Sequence, residues 1–433
     1  MKAQIYRASI YHTTRNPFTH AGALEHIYDG GLLVENGRVQ AVGDFSKVAR
    51  GLPSEVEVHD LRGGFILPGF IDMHVHYPQV RVIGSLGDPL LAWLERSALP
   101  AEARLSEPGH ARAIASEFLE ALAANGTTTA LVFGAHFAPA MEIFLDLARD
   151  SGLRIASGLV LADRTLPPAF HVSPRQAYEL SNQLIRRCAG PGLVSYAVTP
   201  RFALSCSEAM LEVCQTLLRE HPEVRFQTHI NENAAEIDAV ARMFPWARDY
   251  LAVYEKFSLA GSRSVLAHNV HVSASELERL ARTGAAVAHC PCSNAALGSG
   301  FFPLARHLAA NVRVALGTDI GAGTGFSLLK EALQAYLLQR LAPDDGFPLT
   351  AAHLLYLATR AGAVALGMED ETGDLTVGRS ADFVYLRPAA NSPLAAIARN
   401  AEDAERLLAA IFTLADSSMV AGTWVGGRRV HGG

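Results

Sequence analysis

Pro68-Gly69-Phe70-Ile71-Asp72-Met73-His74-Val75-His76 alternates along a strand, with Ile71, Met73 and Val75 on one face and Asp72, His74 and His76 on the other. Two imidazoles at i and i+2 near the C-terminal end of a strand can grip one metal ion from one side. Chance alone gives roughly 0.6 such His-x-His pairs in a chain with 17 histidines. Taken alone, the pair is read equally well as two partly buried strand histidines with no ligand role.

The neighbourhood decides between these readings. Three further short runs end in a metal-type residue. Val224-Arg225-Phe226-Gln227-Thr228 leads to His229, which Ile230-Asn231-Glu232 follows. Ser264-Val265-Leu266-Ala267 leads to His268, and Val312-Arg313-Val314-Ala315-Leu316-Gly317-Thr318 leads to Asp319. In each, apolar residues precede a polar one where a strand would open onto the C-terminal mouth of a barrel, the face on which barrel enzymes place their sites. Imidazoles with one carboxylate form a borderline donor set suited to Zn²⁺.

Between residues 111 and 316 short apolar runs alternate with longer helix-like segments. The runs include Ala130-Leu131-Val132-Phe133, Ser195-Tyr196-Ala197-Val198 and Ala286-Val287-Ala288; the segments include 111–124, 208–219 and 275–283. Repeated βα units over roughly 300 residues predict an α/β fold, a parallel (β/α)8 TIM-like barrel. Both ends of the chain read as β. Leu32-Leu33-Val34-Glu35, a turn at Asn36-Gly37 and Arg38-Val39-Gln40-Ala41-Val42 form a hairpin with a type I′ turn. Ala381-Asp382-Phe383-Val384-Tyr385-Leu386 is a strand, and Thr423-Trp424-Val425 turns at Gly426-Gly427 into Arg428-Arg429-Val430. The expected division is a small β-sandwich built from residues 1–66 and 369–433 around a barrel of residues 67–368.

Composition narrows the function class. The chain has 433 residues, 49% hydrophobic and 18% charged, enough to bury a large core and unlike a disordered segment. A net charge of −6 lacks the concentrated basic surface that a phosphate backbone demands, so nucleic-acid binding is not expected. Five cysteines, Cys188, Cys206, Cys214, Cys290 and Cys292, suit reduced cytosolic thiols better than a disulfide framework. The first 14 residues place Gln4, Tyr6, Arg7 and His12 where a signal peptide needs apolar side chains, and no apolar run reaches the about 18 residues of a membrane span. A cytoplasmic protein is expected.

With the His-x-His strand, the two later histidines and the aspartate in place, the chain resembles the amidohydrolase superfamily. Within it, the guanine-deaminating branch is the nearest match. That resemblance rests on residues 68–79, which end His76-Tyr77-Pro78-Gln79, and on Pro200-Arg201-Phe202-Ala203. It also rests on Gln227-Thr228-His229-Ile230-Asn231-Glu232-Asn233 and Cys290-Pro291-Cys292-Ser293-Asn294. The tail Gly373-Asp374-Leu375-Thr376-Val377-Gly378-Arg379-Ser380-Ala381-Asp382 resembles the segment that returns to the sandwich. The branch usually has Ser where this chain has Asn231, a difference that bears on tuning and not on the reaction.

The resemblance implies one Zn²⁺ per subunit held by His74, His76, His229 and Asp319. The strand Ser195-Tyr196-Ala197-Val198-Thr199-Pro200 carries no Lys to bridge a second metal. His268 would then stand beside the metal and act on the attacking water or the developing oxyanion. Asp319 would accept the water proton while ligating, and Glu232 would carry protons to a ring nitrogen and to the departing amine. The implied reaction takes guanine and water to xanthine and ammonia. Gln79, Arg201 and Phe202 would bind the purine, with His76, His229 and Glu232 also facing it. Arg201 only donates, which suits the O6 and N7 acceptors of guanine and penalises an amino group at C6. Arg201 as a surface ion pair, Gln79 as a loop residue, Phe202 as core and Glu232 as a helix-start carboxylate are the alternatives. A homodimer and a small-molecule purine substrate, with no nucleic-acid or membrane partner, complete the expectation. A related aminohydrolase acting on a pterin, 8-oxoguanine or a triazine is the alternative enzyme. A metal-free scaffold is the alternative class, although such a barrel would be expected to have lost its ligands.

Other motifs lead elsewhere. His289-Cys290-Pro291-Cys292 lacks a second Cys pair to complete a zinc knuckle and reads as a packed strand end. His221-Pro222-Glu223 matches half of a cytidine-deaminase signature whose second half is missing. Gly321-Ala322-Gly323-Thr324-Gly325 is neither a dinucleotide nor a phosphate loop and would let the chain after Asp319 approach the site closely.

Overall fold

The computed structural model describes residues 3–343 and 345–432, so the outermost positions of the expected chain-end ranges, 1–2 and 433, lie outside it. Eight parallel strands follow one another round a nearly closed barrel. They are β1 (Phe70–His76), β2 (Thr127–Phe133), β3 (Arg154–Gly158), β4 (Val194–Pro200), β5 (Arg225–Ile230), β6 (Ser264–His268), β7 (Ala286–His289) and β8 (Arg313–Leu316). Their runs are apolar and almost wholly buried, as a parallel sheet covered by helices on its outer face requires. β3 ends at Gly158, and Val160–Leu161 resumes as a separate short strand paired with the end of β4.

The helix-like segments are helices, at Pro108–Ala124, Glu208–Glu220 and Ala274–Thr283. Local chemistry starts them. Ser173 with Gln176 and Ser273 with Glu276 form capping boxes that satisfy the first amides of Pro174–Cys188 and Ala274–Thr283. No helix among the described residues is long and apolar enough to cross a membrane.

The two chain ends combine into one seven-stranded sheet. Gln4–Thr13, Leu24–Glu35, Arg38–Asp44 and Glu57–Pro68 come from the N-terminal side, and Phe383–Leu386, Val420–Val425 and Arg428–His431 from the C-terminal side. The halves join where Phe383 faces Pro68 in antiparallel register. Asn36 and Gly37 both have positive φ, 51° and 79°, as a type I′ turn demands. Phe383 stacks on Trp424 at 4.6 Å between ring centres, in a core separate from that of the barrel.

The barrel closes through side chains as well as backbone. Beyond β8 the chain runs alongside β1: the Asp319 N–H donates to the His74 carbonyl at 2.8 Å and the His76 N–H to the Ile320 carbonyl at 3.1 Å. Asp72, fully buried, accepts from the Thr318 N–H at 3.0 Å and the Thr318 hydroxyl at 2.5 Å, and from the His74 N–H at 3.2 Å. Gly317 makes this approach feasible, because a Cβ there would sit 2.8 Å from the Cβ of His74.

One element was not foreseen. Between β1 and the helix Pro108–Ala124, short helical turns at Tyr77–Val82, Leu90–Trp93, Leu94–Ala98 and Leu99–Ala103 fold across the C-terminal mouth. They bury Leu90, Trp93, Leu94 and Leu99 against Phe202, Leu297 and Ala322.

Candidate metal centre

His74, His76, His229 and Asp319 converge at the C-terminal mouth, all four buried, with one ligand atom of each within 4.8 Å of all the others. The Nε2 atoms of His74 and His76 are 3.2 Å apart, and those of His76 and His229 are 3.3 Å apart. Asp319 Oδ1 lies 3.2 Å from His74 Nε2 and 3.3 Å from His76 Nε2. The His229 Nδ1–H donates to the Arg201 carbonyl at 2.6 Å, so its Nε2 lone pair faces the cluster. Three imidazole nitrogens and a carboxylate crowded in this way, away from water, fit a shared cation better than one another.

The electrostatics agree with ligation. Burial, with the neighbouring imidazoles, holds His229 well below its ordinary value, and burial takes His74 down to about 3. Both rings are therefore neutral and able to donate a lone pair. Burial would raise Asp319, but the facing His74 and His76 outweigh it and hold the carboxyl well below its usual range. Asp319 Oδ2 also accepts from the Ser293 hydroxyl at 2.6 Å.

Two acid–base groups flank the cluster. His268, at the end of β6, has Nδ1 3.0 Å from Asn294 Oδ1 and an Nε2 without a hydrogen-bond partner. That Nε2 lies 3.5 Å from Glu232 Oε2 and 3.8 Å from Asp319 Oδ2. Glu232 follows β5, buried, and burial together with the Asp319 charge pushes its carboxyl well above the usual range. A buried carboxyl that holds its proton more tightly than usual suits proton delivery. The hydroxyl of Ser299 donates to Glu232 at 3.4 Å.

The chain leaves the strands in tight turns. Asn231, His268, Asn269 and Asp319 all have positive φ, between 49° and 73°. Asparagine tolerates this region better than most residues. The Asn231 amide donates to Asn269 at 3.1 Å and to Glu276 at 3.0 Å, tying the end of β5 to that of β6 and to the next helix. The side chain at this position thus braces the strand ends and does not line the cavity.

A cavity of about 360 Å³ opens over the cluster, lined among others by Gln79, Trp93, Arg201, Phe202, Glu232 and His268. Arg201 is no surface residue: it is 3% exposed and its Nη1 donates to Glu102 at 2.7 and 2.9 Å. Gln79 Nε2 donates to the same carboxylate at 2.7 Å, and Gln79 Oε1 accepts from the Gly321 N–H at 2.9 Å. Phe202 packs into the apolar cluster with Leu90, Trp93 and Leu94 and also borders the cavity, its ring 6.3 Å from that of His229.

Glu102 is the residue that sequence reasoning missed. It is 3% exposed, and its Oε2 lies 3.2 Å from His136 Nε2. Burial alone would raise its pKa, but Arg201 and His136 outweigh burial and hold the carboxyl below the usual range. Ser293 was also missed, although it lies in the quoted stretch around Cys290.

The other motifs stay outside the cluster. Cys290 and Cys292 are buried free thiols, and His289 stacks on Phe302 at 4.2 Å. His221 Nε2 lies 2.7 Å from Asn182 Oδ1, just after a helix end. The glycine-rich loop does run close to the site. A Cβ at Gly321 would meet the Gln79 carbonyl at 2.5 Å, and the Gly323 N–H donates to the Asp319 carbonyl at 2.6 Å.

Comparison with known proteins follows the same outline. The amidohydrolase family matches residues 65–430. The chain is 55% identical over 428 residues to the probable guanine deaminase of Deinococcus radiodurans, covering 98% of both. It is 38% identical to the guanine deaminase of Escherichia coli, covering 98% of this chain and 97% of that protein. The solved structure of E. coli guanine deaminase superposes with a TM-score of 0.94 at 36% identity, covering 100% of both chains.

Proposed function

The chain belongs to the amidohydrolase family, and from that premise we propose that it converts guanine and water to xanthine and ammonia with one zinc ion per subunit. The observation that carries this reading is the cluster of His74, His76, His229 and Asp319 beneath a cavity that Glu232, His268, Gln79 and Arg201 line. The relatives at 55% and 38% identity, a probable guanine deaminase and a guanine deaminase, support the same substrate.

His74, His76, His229 and Asp319 would hold the metal. When bound, zinc activates water as a nucleophile at neutral pH by lowering its pKa from 15.7 to about 7. Arg201 and Gln79 orient the purine through its acceptor edge, and Phe202 packs beside the ring. Asp319 would take a proton from the attacking water. Glu232 delivers a proton to the ring nitrogen next to C2, and His268 Nε2 stabilises the charge that develops on the oxygen. The proton taken by Asp319 recharges Glu232, which passes it to the amino group; the C2–N bond breaks, the remaining hydroxyl proton returns to Glu232 as the C2 carbonyl forms, and ammonia leaves. The apolar turns over the mouth exclude bulk water and strengthen each of these contacts.

Our reading keeps the barrel as residues 67–368 and the chain-end unit as 1–66 with 369–433. It takes the enzyme as a cytoplasmic homodimer, in line with its unpaired thiols and with the family resemblance. Metal analysis combined with ammonia release from guanine, adenine, 8-oxoguanine and ammeline tests the whole. The expected result is about one zinc per chain and the highest kcat/KM on guanine. A protein refolded with zinc that holds none would overturn the metal assignment, and faster turnover of another substrate would overturn the guanine assignment.

A further inference from the structure

Glu102 makes the purine-reading edge a set of donors. Its Oε1 accepts from Gln79 Nε2 and Arg201 Nη1, and its Oε2 accepts from Arg201 Nη1 and faces His136 Nε2. A carboxylate has no proton to give, so the only end of the Gln79 amide it can receive is the NH₂. The other end is set by a group of opposite character, because the Gly321 N–H can only donate and takes Gln79 Oε1. An amide is ambivalent by nature, and these two neighbours remove the ambivalence. Its second N–H is left as the group that can reach a ligand. Arg201, with Nη1 engaged by Glu102, has only N–H groups to offer as well.

We propose that Glu102 is a specificity-determining positioning residue, which fixes Gln79 as a donor, holds Arg201 beside it, and so selects purines with an oxygen at C6 over purines with an amino group there. It touches no reacting atom. The inference rests on the guanine reading above and extends it to the choice between a carbonyl and an amine. A merely structural Glu102 would lower turnover of both kinds of purine alike, whereas a positioning Glu102 changes their ratio.

The test uses the metal-loaded enzyme and ammonia release from guanine and from 2,6-diaminopurine. The second substrate loses its C2 amino group to the same hydrolysis but carries NH₂ in place of O6. The wild type should prefer guanine strongly. In Glu102→Gln the new amide can donate to Gln79 Oε1 as well as accept from Nε2, so Gln79 can turn. The kcat/KM ratio should then fall by about tenfold or more toward the diamino purine. Equal losses on both substrates, with the ratio unchanged, would overturn the proposal. Since Glu102→Gln disturbs a buried ion pair and folding with it, Gln79→Met provides the second arm. It keeps Glu102 and removes the directed amide, and an unchanged ratio there also overturns the proposal. A wild type inactive on guanine removes the guanine reading and this inference together; a guanine-selective wild type with ratio-neutral variants removes the inference alone.

Discussion

His229 Nδ1 lies 2.6 Å from the main-chain carbonyl of Arg201, so one residue holds a ligand ring through its backbone and borders the purine cavity with its side chain. The two roles are separable, because substitution of the side chain leaves the carbonyl in place.

Arg201→Ala should therefore keep its zinc and lose about 10- to 100-fold in kcat/KM on guanine, the loss of one or two hydrogen bonds to a charged donor. Thermal stability should fall as well, since Glu102 is left buried without its cation. Metal analysis beside steady-state kinetics checks both. Loss of the metal along with activity would contradict the separation.

Glu232→Gln keeps the shape of the side chain and removes its proton chemistry. Zinc content should match the wild type while kcat falls by about 10²- to 10⁴-fold. Turnover near the wild-type rate would remove Glu232 from proton transfer.

Asp72→Ala strips the acceptor from Thr318 and from the His74 N–H at the seam between β1 and β8. Both His74 and Asp319 should then be held less firmly, and zinc affinity should fall by about 10- to 100-fold. Competition against a chromogenic chelator measures this, and an unchanged affinity would show that the seam does not set the ligand geometry.

Glu331 supplies a pH signature away from the metal. It is fully buried; one of its oxygens accepts from the Cys292 N–H at 3.0 Å and the other has no partner. Burial pushes its carboxyl from an ordinary 4.5 up to about 8. The native state thus keeps a proton that the unfolded chain releases, and its stabilisation is full below about pH 4.5 and lost as pH rises towards 8. Glu331→Gln removes that loss. Subtracting its stability–pH curve from that of the wild type should leave a difference that grows between those limits to on the order of a few kcal/mol. Parallel curves would show that Glu331 does not titrate in this range.

The ligand strands were legible because each obeys a local rule: an apolar run, then a polar residue where the strand ends. His74, His76, His229, His268 and Asp319 all follow it. Glu102 follows no such rule. It sits in the short helix Leu99–Ala103 of a segment without clear periodicity, and its partners Gln79 and Arg201 are 23 and 99 residues distant in sequence. Only the folded mouth brings them together. Ser293 was hidden differently, because the neighbouring cysteines invited a reading of metal binding or packing and drew notice from the hydroxyl that holds Asp319. In the sequence Asn231 stands out only as a departure from the usual Ser. Its left-handed backbone and its two amide bonds, which make it a brace, are invisible until Asn269 and Glu276 are placed in space.

The seam between β1 and β8 also carries a consequence for synthesis. Asp72 and Thr318 stand 246 residues apart, so His74 and His76 leave the ribosome long before Asp319 is made. The nascent chain presents first this pair, then His229, and the fourth side chain of the proposed centre arrives only when the ring of strands shuts. On the proposed metal reading, complete coordination is therefore a late event that waits for the closed barrel.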